Sequence, residues 1–321
     1  MKNFFSVADV DSLDAIVKEA LALKANPNAH EALGKHKMLG LVFLNPSLRT
    51  RLSTQKAAIN LGMNVMVMNM DKEGWALETQ DGVVMNGTTV EHIREAAAVM
   101  GEYCDILGLR SFPSLKDKQA DYKEDLFNKF MKYCQVPVIS LESATRHPLQ
   151  SLTDLITITE HKKVAKPKVV LAWAPHVKAL PQAVPNSFAE WMSKAQEQGL
   201  VEFTIAHPEG YDLSEDFTQG ARITNNLDEA LKGADFVYVK NWSSYKEYGE
   251  VYPVSENWML DNNKLQQTND AKVMHCLPVR RDLELSSEIL DGPNSLVIQE
   301  ASNRVWAAQV VLKKMLENLN K

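Results

Sequence analysis

Apolar positions recur along this chain in two alternating periods. Leu13, Ile16, Val17, Ala20 and Leu21 fall on one face of a helix over 11–25. The unbroken apolar run "MLGLVFL" (38–44) predicts a buried strand, and the spacing after it a helix over 50–61. "NVMVMNM" (64–70), a helix over 90–101, "CDILGLR" (104–110), a helix over 121–133 and "VPVISLE" (136–142) carry the alternation into a long helix over 148–162. It restarts with "PKVVLAW" (167–173), a helix near 186–198, "VEFTIAH" (201–207) and a helix over 226–232. "DFVYVKNW" (235–242) and "AKVMHCLP" (271–278) read as further strands, and "NSLVIQEA" (294–301) runs into a final helix. Strands alternating with helices, twice over, predict an α/β chain of two doubly wound, parallel-sheet domains divided near the 148–162 helix.

Charge and composition narrow the function classes. A net charge of −6 gives no broad positive surface for non-specific nucleic-acid binding. No apolar stretch approaches the length of a membrane span, so no membrane partner is expected. Asp9, Asp11 and Asp14 stand where an export signal needs an apolar run. Cys104, Cys134 and Cys276 are too far apart for a CxxC motif, which suits a reducing cytoplasm. No G-x-G-x-x-G follows any strand, which argues against a nicotinamide-dependent oxidoreductase. No ligand cluster suggests a metal, and no cofactor is expected.

The first strand breaks at Asn45-Pro46 and is followed by Ser47, Leu48, Arg49, Thr50 and Arg51. Open α/β sheets bind ligands outside the carboxyl ends of their strands. A helix start there offers free N–H groups and a positive dipole end. Two hydroxyls and a permanently charged guanidinium complete an anion cradle without glycine. An N-cap serine with solvated arginines is the ordinary structural alternative. Three further stretches fall at strand ends or in the elements that follow: "RHPLQ" (146–150), "MHCLPVRR" (274–281) and "EASNRVWAAQ" (300–309). Arg110 also closes its strand. Each alone has a bland reading as a cap, a buried thiol or a surface charge.

Together, in this order, they resemble the transcarbamylase family, with its SxRT(R) phosphate loop, its HPxQ and HCLP motifs and its late arginine. The resemblance covers nearly the whole chain. It implies carbamoyl phosphate as one substrate, bound by Ser47, Leu48, Arg49, Thr50, Trp75, Arg110, His147, Gln150, Cys276, Leu277 and Arg304. Arg49, Thr50, Arg110, His147, Gln150, Cys276 and Arg304 are the expected catalytic group. Thr50, Arg110 and His147 would stabilise the developing oxyanion. Gln150 and the Cys276-Leu277 carbonyls would hold the carbamoyl amine. It also implies a carbamoyl-phosphate domain over 1–147, completed by the helix 302–321 packing back on it, and an acceptor domain over 148–301.

The acceptor is a second question. Ornithine carbamoyltransferases share an SMG motif that is missing from "VYVKNWSSYKEYGE" (237–250), where Lys240 and Trp242 stand. The chain is similar instead to the branch acting on N-acylated ornithines, in arginine biosynthesis. That branch has a tryptophan on a loop reaching a neighbouring subunit, matched by Trp75 in "DKEGWALE". It also has a proline-rich segment making a knotted crossing, matched by "APHVKALPQAVPN" (174–186). A homotrimer with sites at subunit interfaces follows from the same resemblance. Acetyl enzymes carry a glutamate at the position of Val90, which would repel a succinyl carboxylate. Val90 therefore favours N-succinylornithine, with Glu142, His176, Lys240, Cys276, Leu277 and Arg280 as the remaining acceptor contacts. N-acetylornithine is the alternative. An aspartate carbamoyltransferase-like chain, for which Lys72 would serve, and a non-catalytic binding protein of the same fold are weaker ones.

Overall fold

The computed structural model describes residues 1–70 and 73–320, so Lys72 lies outside the described residues. The chain forms two compact units, Met1–Leu149 with Arg304–Lys321, and Gln150–Asn303.

The strands of the first unit are β1 (Met38–Phe43), β2 (Asn64–Asn69), a short pair β3 (Leu77–Glu78) and β4 (Glu91–His92), β5 (Ile106–Arg110) and β6 (Val138–Glu142). Its main sheet has the order β2-β1-β5-β6, all parallel. Parallel strands need crossovers, and α2 (Arg49–Asn60), α3 (Ile93–Tyr103), α4 (Lys118–Tyr122) and α5 (Asp125–Cys134) supply them, while α1 (Leu13–Ala25) precedes β1 and α6 (Pro148–His161) starts after β6. Register decides what the carboxyl edge presents. Phe43 pairs with Arg110, and Arg110 with Glu142 after a register shift at Leu109/Arg110. The three strands thus end side by side, and the loops after them begin on one edge. Ser12 caps α1 by accepting from the Ala15 N–H. Gly101 lets α3 lie directly on the end of α5: a Cβ there would sit 1.9 Å from the Cys134 carbonyl oxygen.

The strands of the second unit are β7 (Lys168–Trp173), β8 (Glu202–Ala206), β9 (Arg222–Thr224), β10 (Phe236–Lys240) and β11 (Lys272–Met274), in the parallel order β11-β10-β7-β8-β9. Its helices are α7 (Ala183–Glu197), α8 (Glu215–Thr218), α9 (Leu227–Leu231), α10 (Asn262–Leu265), α11 (Ser287–Leu290) and the start of α12 (Val297–Leu319). Trp191, Trp242, Tyr211 and Tyr238 are fully buried, and Tyr238 stacks on Phe188 at 4.1 Å. Buried indoles need acceptors. Trp173 Nε1 donates to the Trp242 carbonyl and Trp242 Nε1 to the Tyr211 carbonyl. The segment after β7 is laced to the one after β10, Ser243 N–H and Oγ both donating to the Leu180 carbonyl.

The later part of α12 belongs to the first unit. Asn60 Nδ2 donates to Gln309 Oε1 at 2.8 Å, and Lys313 bonds Glu19 at 2.6 Å. No helix among the described residues is long and apolar enough to cross a membrane.

Three local expectations are corrected. The strand over 271–278 ends at Met274, so His275–Pro278 is an irregular segment containing a cis Leu277–Pro278 bond. The helix over 121–133 is two helices, broken at Glu124 (φ 50°), whose buried carboxylate accepts from Ser143 Oγ, Thr145 N–H and Thr145 Oγ1. Val90 does not open a helix: β4 follows it, α3 begins only at Ile93, and its N–H donates to the Ala76 carbonyl.

Candidate active site

In the first unit the candidate residues follow β1, β5 and β6. The turn after β1 enters α2 with no side-chain cap at Leu48 and no acidic residue in the first turn. The helix start thus keeps its N–H groups and positive dipole end available to an anion. Arg49 is half-buried there, beside buried Thr50. Arg304 Nη2 donates to Thr50 Oγ1 at 2.5 Å, placing a second guanidinium on the same turn.

Arg110 ends β5 with its side chain 9 % exposed and donates from Nη1 to Glu142 Oε2 at 2.5 Å. Its guanidinium also lies 4.5 Å from the centre of the Phe112 ring, and Asn45 Oδ1 accepts from the Phe112 N–H. His147 Nε2 approaches the same Glu142 oxygen at 3.6 Å. The His147 pKa is driven well below 6.5, first by burial, then by the charges of Arg304 and Arg110. Its imidazole is neutral at physiological pH, and its buried Nδ1 has no hydrogen-bond partner among the described residues. Arg110 and His147 meet on one carboxylate, and Arg304, bonded to Thr50, lies close enough to lower the His147 pKa, so the cluster suits a small, charged, oxygen-rich ligand.

In the second unit Gln150 Nε2 donates to Asp154 Oδ1 at 2.8 Å and Glu300 Oε1 at 2.9 Å. Glu300 Oε2 accepts the His275 N–H, and His275 Nδ1 accepts the Leu277 N–H. Leu277 adopts φ 56°, a left-handed conformation that side chains rarely take and that clusters at functional sites. His275 Nε2 lies 3.5 Å from Glu284 Oε1, and Glu284 Oε2 accepts the Arg280 N–H. Burial alone would raise the Glu284 carboxyl. The His275 ring, the Lys240 charge and the Arg280 N–H outweigh it and hold the pKa below 4.5. Arg280 Nε bonds His176 Nε2 at 3.0 Å. Lys240 is buried at the end of β10.

Trp75 and Val90 lie in the first unit, on the segment around β3 and β4. Trp75 is 52 % exposed with Nε1 bonded to Glu91, and Val90 is 64 % exposed, so both are available to a neighbour or ligand. Among the described residues, no group of three or more His, Cys, Asp or Glu side chains is placed to hold a metal ion. Asp154, Glu284 and Glu300 went unnoticed in the sequence. A signal existed for two of them: Asp154 stands four residues after Gln150 and Glu300 four before Arg304, one helical turn away. Glu284 had none, since only the irregular 275–284 segment brings it to His275.

Two family models match the chain: aspartate/ornithine carbamoyltransferase, carbamoyl-P binding domain, over residues 2–160, and the Asp/Orn binding domain of the same family over 183–315. The chain belongs to the aspartate/ornithine carbamoyltransferase family, and it is an enzyme of that class. It is 49 % identical to N-succinylornithine carbamoyltransferase of Bacteroides fragilis, covering 99 % of this chain and 100 % of that one. It is 32 % identical to N-acetylornithine carbamoyltransferase of Xanthomonas campestris, covering 98 % of each. Among solved structures, acetylornithine transcarbamylase complexed with acetylcitrulline matches with a TM-score of 0.91 at 32 % identity, over 98 % of this chain and 99 % of that one. A single-glutamate-to-valine variant of N-acetyl-L-ornithine transcarbamylase, complexed with carbamyl phosphate and N-succinyl-L-norvaline, matches at 0.90 and 33 %, over 98 % and 100 %.

Proposed function

We propose that the enzyme transfers the carbamoyl group of carbamoyl phosphate to the side-chain amine of N-succinyl-L-ornithine, giving N-succinyl-L-citrulline and phosphate in cytoplasmic arginine biosynthesis. The observation that carries the donor half is the first-unit cluster: an uncapped helix start, Arg49, and Arg304 bonded to Thr50. Full-length similarity to an N-succinylornithine carbamoyltransferase supports the acceptor half.

The roles follow from the chemistry. Ser47, Leu48, Arg49 and Thr50 take the dianionic phosphate with hydroxyls, N–H groups and a guanidinium. As the amine attacks, charge grows on the carbonyl oxygen. Thr50, Arg110 and His147 stabilise it, and a neutral imidazole can donate a hydrogen bond without competing for the phosphate charge. Gln150 and the carbonyls of Cys276 and Leu277 hold the carbamoyl NH2, and Arg304 closes the anion site. The attacking amine must be neutral, against an ordinary pKa of about 10.4, so its proton passes to the leaving phosphate after a backbone carbonyl near Cys276 orients it. Val90, Glu142, His176, Lys240 and Arg280 receive the acceptor, the last three offering groups that can meet its carboxylates.

We further infer a homotrimer in which Trp75 of one copy serves a neighbour's site. Exposed Leu48, Leu52 and Ile59 along α2 and Met66 on edge strand β2 support burial against another copy. Product analysis with carbamoyl phosphate and N-succinylornithine tests the function. Equimolar N-succinylcitrulline and phosphate are expected, and phosphate without citrulline would refute it.

A further inference from the structure

The Gln150 amide nitrogen donates to two carboxylates at once, Asp154 Oδ1 at 2.8 Å and Glu300 Oε1 at 2.9 Å. Both of its hydrogens are committed, and all three side chains are buried. A carboxamide can normally exchange its oxygen and nitrogen by half a turn of its last torsion, and only its hydrogen-bond network decides between the two. Here that half turn would press a carbonyl oxygen against two carboxylates. Glu300 does more: its other oxygen takes the His275 N–H at 2.9 Å, so one carboxylate fixes both Gln150 and the segment leading into Cys276 and Leu277. Tyr238 stands in the same cluster. Its pKa is pushed well above 10, by burial first and then by Asp154, Cys276 and Glu300, so it stays a neutral phenol beside the two carboxylates.

We propose that Asp154 and Glu300 are positioning residues that lock the Gln150 amide in one orientation, its nitrogen held by both carboxylates and its carbonyl oxygen left as the group that meets a ligand, so that Gln150 selects a donor bearing NH2 on the transferred carbonyl. A carbonyl oxygen rewards that NH2 and is left without a hydrogen when a methyl group takes its place. The inference rests on carbamoyl phosphate being the donor.

The test compares the full-length enzyme with its Glu300→Gln variant, measuring Kd for carbamoyl phosphate and for acetyl phosphate, which differs from it by methyl in place of NH2. Glutamine at 300 can still accept the His275 N–H while turning its own NH2 toward Gln150, which favours the half turn. Wild type should prefer carbamoyl phosphate by at least about tenfold, the scale of one buried hydrogen bond. In the variant the ratio should fall toward one, chiefly through weaker carbamoyl phosphate binding. Asp154→Asn carries the same expectation and serves if Glu300→Gln does not fold. A purely structural role would weaken both ligands together, and an unchanged ratio in a folded variant overturns the inference. If wild type does not turn over carbamoyl phosphate at all, the functional reading fails instead.

Discussion

Arg110 and Glu142 are register partners at the ends of adjacent parallel strands, and their side chains meet at 2.5 Å with each 9 % exposed. The sheet itself thus sets the pair, and His147 follows one loop later, 3.6 Å from the same carboxylate oxygen. Removing one partner of a buried pair leaves an uncompensated charge, costing about 3–5 kcal/mol. Arg110→Leu is expected to destabilise the protein by that order in urea unfolding. The Arg110→Leu, Glu142→Leu double variant should recover much of the stability and no carbamoyl transfer. Additive losses in the double variant would count against coupling.

Arg49→Ala removes a charged hydrogen-bonding group worth roughly 1.5–3 kcal/mol from the proposed phosphate turn. Calorimetry should show carbamoyl phosphate affinity falling by about tenfold or more, with the unfolding midpoint little changed. Wild-type affinity in this variant would sink the phosphate-turn assignment.

The histidines give a pH prediction. The folded pKa values of His147 and His207 are both lowered by burial, so the unfolded chain takes up protons that the folded one refuses. Their contribution is fully present above about pH 6.5 and is lost as pH falls toward the lowered values, by up to about 1.4 kcal/mol per pH unit for each. Unfolding free energies at pH 8 and pH 5 should therefore differ less in His147→Gln than in wild type. An equal difference would mean that His147 is protonated in the folded protein.

Val90 is 64 % exposed and makes its fold contact through the backbone, so Val90→Glu should leave stability within about 0.5 kcal/mol. Beside a succinyl carboxylate the new charge would cost up to about 4 kcal/mol at 4 Å and an effective dielectric near 20. The ratio of kcat/KM for N-succinylornithine over N-acetylornithine should fall at least about tenfold. A constant ratio would remove Val90 from the acyl site.

Much of this was legible in the chain because buried parallel strands write continuous apolar runs: 38–43, 106–110 and 138–142 are each read directly, and Ser47, Arg110 and His147 stand just past or at their ends. Legibility failed where backbone geometry is set by distant partners. The apolar run 271–278 looks like one strand, yet β10 pairs only through Met274, and Glu300 and Glu284 hold the rest in an irregular path. The Glu142–Arg110 pair depends on strand register and is invisible to periodicity.

The most direct measurement offers carbamoyl phosphate with N-succinylornithine, N-acetylornithine, ornithine or aspartate, side by side, and compares kcat/KM. N-succinylornithine should exceed each of the others by at least about tenfold, the scale expected when one carboxylate finds or lacks its partner. A higher value for ornithine or aspartate, or equal values for the two acylated acceptors, would contradict the account.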